Sequence, residues 1–589
     1  MNGRSWVETA ELRIGLGCMR LPVDDDVAGE TIAAAATAGI TIFDTAHAYG
    51  SDDTASGQNE RVLAQALRAC GADRRARIVT KGGMTRPEGA WIPDGRGKSM
   101  HADCEASLEA LGGVTIDLYL IHAPDPRTPW PTSVRALARL LDEGMVSHVG
   151  LSNVTRRQLE EAVDLVDVTA IEVALSALDD TAVRGGLLEL CSERGIAVIA
   201  HSPLGGPRRA RALARRPELV EIAGARDATP EEVALAWVLD LSPLIIAIPG
   251  ARRPETARSA ARAASIVLTQ RERSTLAAAF GWPQAGPAKS SAPAKGTAEV
   301  VVVMGVPGAG KSRHAEDYVA RGYVRLNRDE RGGSLREISD ALDAALASGE
   351  RRIVLDNTYL SRAARSHIIE KAARHGAVVR CIWIDTPLAQ AQVNMVERLL
   401  DRFGSLPDPD QISEMARREP GLLSPTRQMR AFRELEPPST DEGFVEVQRQ
   451  AFERSPRVSA KTNDAAAVFV AAGALSRPGW EAAVSTTTPA SPHLLFDWRP
   501  GAGTEVLDAD VARLAATVSG PVTPAICPHP GGAPVCWCRP PLPGLILEFA
   551  RTHGVDVTRS VLVGTGPAHR TLATTIGSHY RALDSSEQR

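Results

Sequence analysis

Gly305–Ser312 reads GVPGAGKS, and the way this stretch is read decides what kind of chain this is. It fits the pattern G-x-x-x-x-G-K-[ST]. The apolar run Glu299–Met304 (EVVVVM) before it has the composition of a buried parallel strand, and a helical stretch begins at Ser312. That context separates a phosphate-binding P-loop from an ordinary glycine-rich strand–helix turn. Gly305, Gly308 and Gly310 would let the backbone curl until its N–H groups face phosphate, where the helix N-terminus adds positive potential. Lys311 would then reach the β/γ-phosphates of ATP and Ser312 would ligate Mg²⁺.

Working outward, 589 residues are too many for one core and suggest about three to four domains. A hydrophobic content of 44% and a charged content of 23% are those of a soluble globular protein. A net charge of −4 gives no global basic field, although a local basic groove remains compatible with it. No apolar run approaches the roughly 18–20 residues of a membrane span, and no signal peptide is expected from the opening residues. Cys18, Cys70, Cys104, Cys191 and Cys381 are scattered, as in a reducing cytoplasm, so a cytoplasmic location is expected. Two Pro/Ala/Ser-rich breaks, Pro283–Thr297 and a softer one around Ser476–Ser491, cut the chain. The expected division is an α/β multidomain chain: 1–283, a flexible linker 284–298, a P-loop domain 299–460, a linker 461–488 and a last domain 489–589.

In the first segment, strand-like runs alternate with amphipathic stretches: Ile14–Cys18, Thr41–Phe43, Ile78–Thr80, Leu118–Ile121, Val146–Leu151, Ala170–Val173, Ala197–Ala200 and Leu244–Ile248. This βα repetition predicts a (β/α)₈ TIM barrel with its site at the C-terminal strand ends, where Asp44, Lys81, His122, Ser152 and Asn153 stand. The stretches GLGCMRL, FDTAHAYG, NERVLAQAL, TKGG, IDLYLIHAPDP, GLSN and IPGARRP, in that order, resemble the aldo-keto reductases over residues 10–280. The resemblance implies a catalytic tetrad of Asp44, Tyr49, Lys81 and His122. A hydride arriving at a carbonyl leaves an alkoxide that must be protonated. Tyr49 would donate that proton, Lys81 would lower its pKa, Asp44 would orient Lys81, and His122 would polarise the carbonyl oxygen. The resemblance also implies that Ser152 and Asn153 hold the nicotinamide carboxamide, and that Arg252 and Arg253 meet the 2′-phosphate of NADP(H). Three positions depart from the family pattern. Glu172 replaces the Gln on the carboxamide, His201 the aromatic stacked on nicotinamide, and Ala260 the Asn that reads adenine.

Beyond the P-loop come Leu326–Asp329 (LNRD) and Ile353–Thr358 (IVLDNT), which puts Asp356 and Thr358 at the end of an apolar strand. A P-loop, then NRD, then a strand ending DNT is similar to the kinase domain of polynucleotide 5′-hydroxyl kinases, over residues 299–405. The likeness implies a parallel α/β/α sheet with Asp329 as general base, and Arg331 or Arg336 as clamps on the acceptor phosphate. Asp356 would position the acceptor, and Arg398 and Arg402 are candidate lid arginines. Leu406–Ala460 is charged, Pro-broken and reads as helical.

Near the C-terminus, Cys527-x-His529 and Cys536-x-Cys538 supply two close ligand pairs on the Pro/Gly loop CPHPGGAPVCWC. Thiolate and imidazole at this density read as structural, tetrahedral Zn²⁺. LLFDWRPG, the cysteine loop and VLVGTGPAH resemble the zinc-loop phosphatases of the haloacid-dehalogenase (HAD) class. That family needs an Asp acid/base two residues after the nucleophile, but Arg499 follows Asp497. Pro540, Thr565 and His569 stand where a lysine and the Mg²⁺-binding aspartates belong, which implies a small HAD-like α/β domain without catalysis.

The tandem implies an NADP(H)-dependent reductase with an ATP-dependent kinase acting on 5′-hydroxyl nucleic-acid ends. One expectation unites them: the barrel would reduce an oxidised 5′-aldehyde end, or another small carbonyl, before phosphorylation. The alternatives are a metabolic carbonyl reductase fused to a small-molecule or nucleoside kinase, and a non-catalytic NADP(H)-sensing barrel.

Overall fold

Ile14 and Gly17, at the first strand of the chain, bridge in parallel to Ala247 and Gly250 beside the eighth, and this contact closes a barrel. The computed structural model describes residues 6–9, 12–22, 25–282, 297–418, 421–452, 465–485, 491–532 and 535–583. Contacts divide the chain into two units. One is Met1–Gly286 with Arg362–Ser366, and the other is Pro287–Ser361 with His367–Arg589.

The barrel strands are β1 (Leu16–Gly17), β2 (Ile42–Asp44), β3 (Arg77–Gly82), β4 (Ile116–Ile121), β5 (His148–Ser152), β6 (Val168–Ala174), β7 (Ala197–His201) and β8 (Ile245–Ile248). Each pairs in parallel with the next. Alternation explains the two layers of core. Ile42, Val79, Leu118, Leu120, Ile199 and Ile246 fill the barrel interior with Trp6 and Val7, while Phe43, Ile78, Tyr119, Ile121 and Val198 pack outward against the helices. All eight strands lie where the sequence places them, longer or shorter by a few residues. A two-stranded hairpin, Met84–Thr85 with Ile92–Pro93, follows β3.

In the second unit, β9 (Glu299–Met304), β10 (Val324–Leu326), β11 (Arg352–Asp356), β12 (Val378–Asp385) and β13 (Glu446–Ala451) form a parallel sheet in the order β10-β11-β9-β12-β13. The P-loop strand is therefore central, flanked by β11 and β12. A second parallel sheet, β16-β15-β14-β17-β18, is built from β14 (Val468–Ala471), β15 (His493–Trp498), β16 (Val522–Cys527), β17 (Val561–Gly564) and β18 (His579–Ala582).

Two expectations need correction here. The stretch 461–488, read as a linker, contains β14, which lies between β15 and β17 at the middle of the last sheet. The stretch 406–460, read as helical, holds helices Pro409–Arg418 and Pro425–Glu434 but also β13, which pairs with β12. Residues 284–296 of the expected linker lie outside the described residues, as do 453–464 and 486–488.

A helix of the P-loop domain joins the core of the C-terminal domain. Helix Leu388–Phe403 buries Val393, Val396, Leu399 and Leu400 in one cluster with Phe469 and Phe496 of the C-terminal sheet, Trp537 of the Cys/His loop and Phe549 of helix Gly544–His553.

Candidate active sites

At the top of the barrel, each polar group follows an apolar strand whose pairing fixes its position. Asp44 ends β2, Lys81 lies in β3, His122 follows β4, and Glu172 lies in β6; all four are buried. Lys81 Nζ donates to Asp44 Oδ1, to Thr45 O (3.0 Å) and to Tyr49 OH (3.4 Å). Its fourth neighbour is Glu172 Oε2 at 3.1 Å, a charge contact that misses hydrogen-bond geometry and leaves that oxygen otherwise without a partner. Burial opposes the charge on Lys81, but Asp44 and Glu172 more than offset it and hold the ammonium well above its usual pKa. Burial, then the proximity of Glu172, raises Asp44. Burial raises Tyr49 more than Lys81 lowers it. Burial, then Lys81, pushes His122 down to about 3 and His201 to about 4, so both rings are neutral near pH 7.

The rim of this site is aromatic. Tyr49 meets His122 edge-on with ring centroids 5.7 Å apart, and Trp91, on the hairpin after β3, meets His122 at 5.6 Å. Asn153, in the left-handed region at φ 57°, donates to His122 O and Ser152 Oγ, both at 3.0 Å. Its Oδ1 lies 3.1 Å from His201 Nε2. Arg252 and Arg253 are exposed just ahead of helix Pro254–Ala263, so their charges stand at a helix N-terminus that favours an anion. Ala260 is buried in that helix.

In the second unit, the loop after β9 bounds a cavity of about 210 Å³ lined by Gly308, Lys311, Ser312, Asp329, Arg398 and Arg427, among others. A Cβ on Gly308, at φ +85°, would sit 2.5 Å from Ala391 O, so only glycine fits there. Gln428 Nε2 donates to Pro307 O (3.0 Å) and Ala391 O (2.9 Å), and Asn394 Nδ2 to Gly308 O (2.7 Å), pinning the loop from outside. Lys311 is only partly buried by surface, yet it sits low enough in the cavity that desolvation brings it down to about 8. Its Nζ donates to Gly305 O and Val306 O. Asn327 caps the short helix Arg328–Arg331 by accepting from Asp329 N (2.7 Å) and Glu330 N (3.2 Å), which sets Asp329 at the cavity wall. Asp329 Oδ2 and Arg398 Nη1 converge on Gly421, at 3.4 and 3.7 Å from where its Cβ would stand. Asp356 lines the same cavity, but its carboxylate is paired with Arg325 and accepts from Asn327 Nδ2 (3.1 Å).

At the C-terminal sheet, the ligand atoms of Cys527, His529, Cys536 and Cys538 lie within 4.8 Å of one another. Cys538 Sγ is 3.2 Å and Cys527 Sγ 3.6 Å from His529 Nδ1, while His529 Nε2 faces Asp408 at 4.0 Å. Hydrogen bonds from Cys527 and Cys538 favour the thiolate of Cys536. Three sulfurs and one imidazole at this spacing, with a carboxylate near the other ring nitrogen, fit tetrahedral zinc. Asp497 pairs with Arg499 at 2.8 Å. His569 Nδ1, at the other strand end, accepts from Thr565 N at 3.2 Å.

A family model described as the aldo/keto reductase family matches residues 13–279, and one described as an AAA domain matches residues 300–418. Aldo-keto reductase str7 of Strobilurus tenacellus is 31% identical over 277 residues, which cover 42% of this chain and 79% of that protein. The chain belongs to the aldo/keto reductase family. An uncharacterized oxidoreductase of Schizosaccharomyces pombe is 29% identical over 267 residues, 44% of this chain and 83% of that one. Among solved structures, an aldo/keto reductase from Klebsiella pneumoniae in complex with NADP and acetate is 27% identical. It covers 46% of this chain and 93% of its own, with a TM-score of 0.40.

In this reductase the barrel brings Asp44, Tyr49, Lys81 and His122 together, with Ser152, Asn153 and His201 beside them. Glu172, read as replacing the Gln on the carboxamide, is also the second carboxylate on Lys81. Lys81 lowers Tyr49 as expected, but burial outweighs the ammonium and the net shift is upward. In the P-loop domain, Gly305 lies at the start of the loop, and Gly308, Gly310, Lys311, Ser312, Asp329, Asp356 and Arg398 line one cavity. Arg331, Arg336 and Arg402 are exposed and outside its lining, and Arg402 lies over the ring of Phe403. A charge-only reading of two arginines one helical turn apart, Arg398 and Arg402, cannot tell which one turns inward. Arg328, Arg427, Gln428 and Asn394 were missed. Arg427 and Gln428 come from a polar helix beyond the matched AAA segment, and only tertiary packing brings it to the loop.

Proposed function

We propose that the chain is a bifunctional enzyme that reduces a carbonyl with NADP(H) in its barrel and transfers the γ-phosphate of ATP to a 5′-hydroxyl nucleic-acid end in its P-loop domain. The C-terminal domain, a phosphatase-like fold without its chemistry, would carry structural zinc. The reductase half rests on the Asp44–Lys81–Tyr49–His122 cluster. When bound, NADP(H) supplies the hydride. Tyr49 OH, linked to Lys81, protonates the oxygen left behind, and neutral His122 offers that oxygen an N–H without competing for the proton. Arg252 and Arg253 would hold the 2′-phosphate.

The kinase half rests on one observation: Asp329 faces the cavity that contains Lys311. With Mg²⁺ on Ser312, Lys311 would neutralise β/γ charge, Asp329 would take the hydroxyl proton, and Arg398 would meet the transferring group. The C-terminal domain lacks the paired carboxylates its resemblance requires, since Asp497 is neutralised by Arg499 and Thr565 and His569 offer no anionic ligand. The modest cavity favours a second reading, a small-molecule or nucleoside kinase. ATP-γ-phosphate transfer to 5′-hydroxyl DNA, 5′-hydroxyl RNA and nucleosides, with Lys311→Ala and Asp329→Ala as controls, decides between them. Transfer to nucleosides but to neither polymer removes the end-healing reading.

A further inference from the structure

The helix Leu388–Phe403 has two faces with different duties. Ala391, Asn394 and Arg398 follow an i, i+3, i+7 stripe. Asn394 Nδ2 donates to Gly308 O of the P-loop, Ala391 O accepts from the Gln428 amide that also donates to Pro307 O, and Arg398 enters the cavity. On the other face, Val393, Val396, Leu399 and Leu400 are buried in the core of the C-terminal sheet. The segment after this helix is tied the same way. Ile412 and Leu422 join that core, and Leu406 N donates to Glu548 Oε1 at 2.9 Å. Trp537, one of the largest fully buried side chains, donates its indole N–H to Leu423 O at 3.1 Å. Leu423 lines the cavity together with Gly421 and Arg427. Trp537 itself lies between Cys536 and Cys538, so the loop that fits a metal is the loop that presents this indole.

We propose that the C-terminal domain serves as a fixed buttress for the phosphate cavity, and that Trp537 is the positioning residue through which its Cys/His loop holds the wall carrying Gly421, Leu423 and Arg427 opposite Asp329. The proposal rests on reading the cavity as a phosphoryl-transfer site. It gives a use to a domain whose own carboxylates are neutralised or missing. Phosphoryl transfer depends on charges held in place before the reaction rather than on covalent chemistry by the protein. A wall anchored in a hydrophobic core supplies that rigidity. Zinc on the four ligands would stiffen the presentation of Trp537.

The test uses the full chain with Trp537→Phe, which keeps most of the packing and removes only the donor, and Trp537→Ala. Amide hydrogen exchange across 421–428 is measured alongside kcat and KM for ATP, with carbonyl reduction by the barrel as the control for a folded chain. Loss of one hydrogen bond should speed exchange in 421–428 by about 2- to 10-fold in Trp537→Phe. It should lower kcat several-fold with KM for ATP nearly unchanged, because the P-loop still grips the triphosphate. Chelation of the wild type should raise exchange in the same segment. Wild-type exchange at 421–428 and wild-type kcat in Trp537→Phe would overturn the proposal, even if Trp537→Ala unfolds the second unit. If the wild type transfers phosphate to no acceptor, the phosphoryl-transfer reading fails, while the exchange data still decide whether Trp537 holds the wall.

Discussion

Lys81 sits against two carboxylates in a barrel top that excludes water, and Tyr49 therefore feels less positive potential than one lysine–aspartate pair would give it. Glu172→Gln should lower the pH at which Tyr49 ionises. Ultraviolet difference titration checks this without turnover, and an unchanged titration would show that Glu172 does not reach the phenol. Tyr49→Phe should cost about 10²- to 10⁴-fold in carbonyl reduction. His122 makes a pH prediction. In the unfolded chain it binds a proton near 6.5, but folded it refuses one until about 3, so protonation favours the unfolded state. The barrel should lose stability as pH falls from about 6.5 towards 3, and His122→Gln should flatten that slope in denaturant titrations. Asp44, Lys81 and His122 were legible because each ends an apolar run, and strand ends meet in a barrel. The partnership of Glu172 with Lys81 was not, because it arises from the pairing of β3 through β6 around the closed sheet rather than from any local pattern.

Among the elements, the P-loop is the most constrained. Gly308→Ala forces a left-handed alanine, worth about 1–2 kcal/mol, onto a carbonyl 2.5 Å from the new carbon. Nucleotide binding should be lost with a lowered melting temperature, and a variant that binds ATP as the wild type does would show that the loop relaxes. The loop could be read from sequence because glycine, lysine and serine at fixed spacing have few other uses after a valine-rich strand. The middle strand of the last sheet escaped notice for the opposite reason. Val468–Ala471 is only four residues long, and the Ala, Thr, Ser and Pro around it carry no alternation. Its burial on both faces, between β15 and β17, is a property of the assembled sheet. Arg398 could be named as a cavity arginine, but Arg402 could not be told apart from it until the helix showed which stripe turns inward.

At the level of the whole molecule, the reductase site and the proposed kinase site belong to different units with different cores. Lys311→Ala should abolish phosphate transfer and leave carbonyl reduction within error, and Tyr49→Phe should do the reverse. Assaying both reactions on both variants checks this, and cross-inhibition would reveal energetic coupling between the units. The apolar cluster that runs from helix Leu388–Phe403 into the C-terminal sheet has a further consequence for how the molecule comes apart. Although the described residues form three sheets of four or more strands, a calorimeter should record two endotherms and not three, since neither half of the second unit can melt and leave its neighbour's shared oily seam dry.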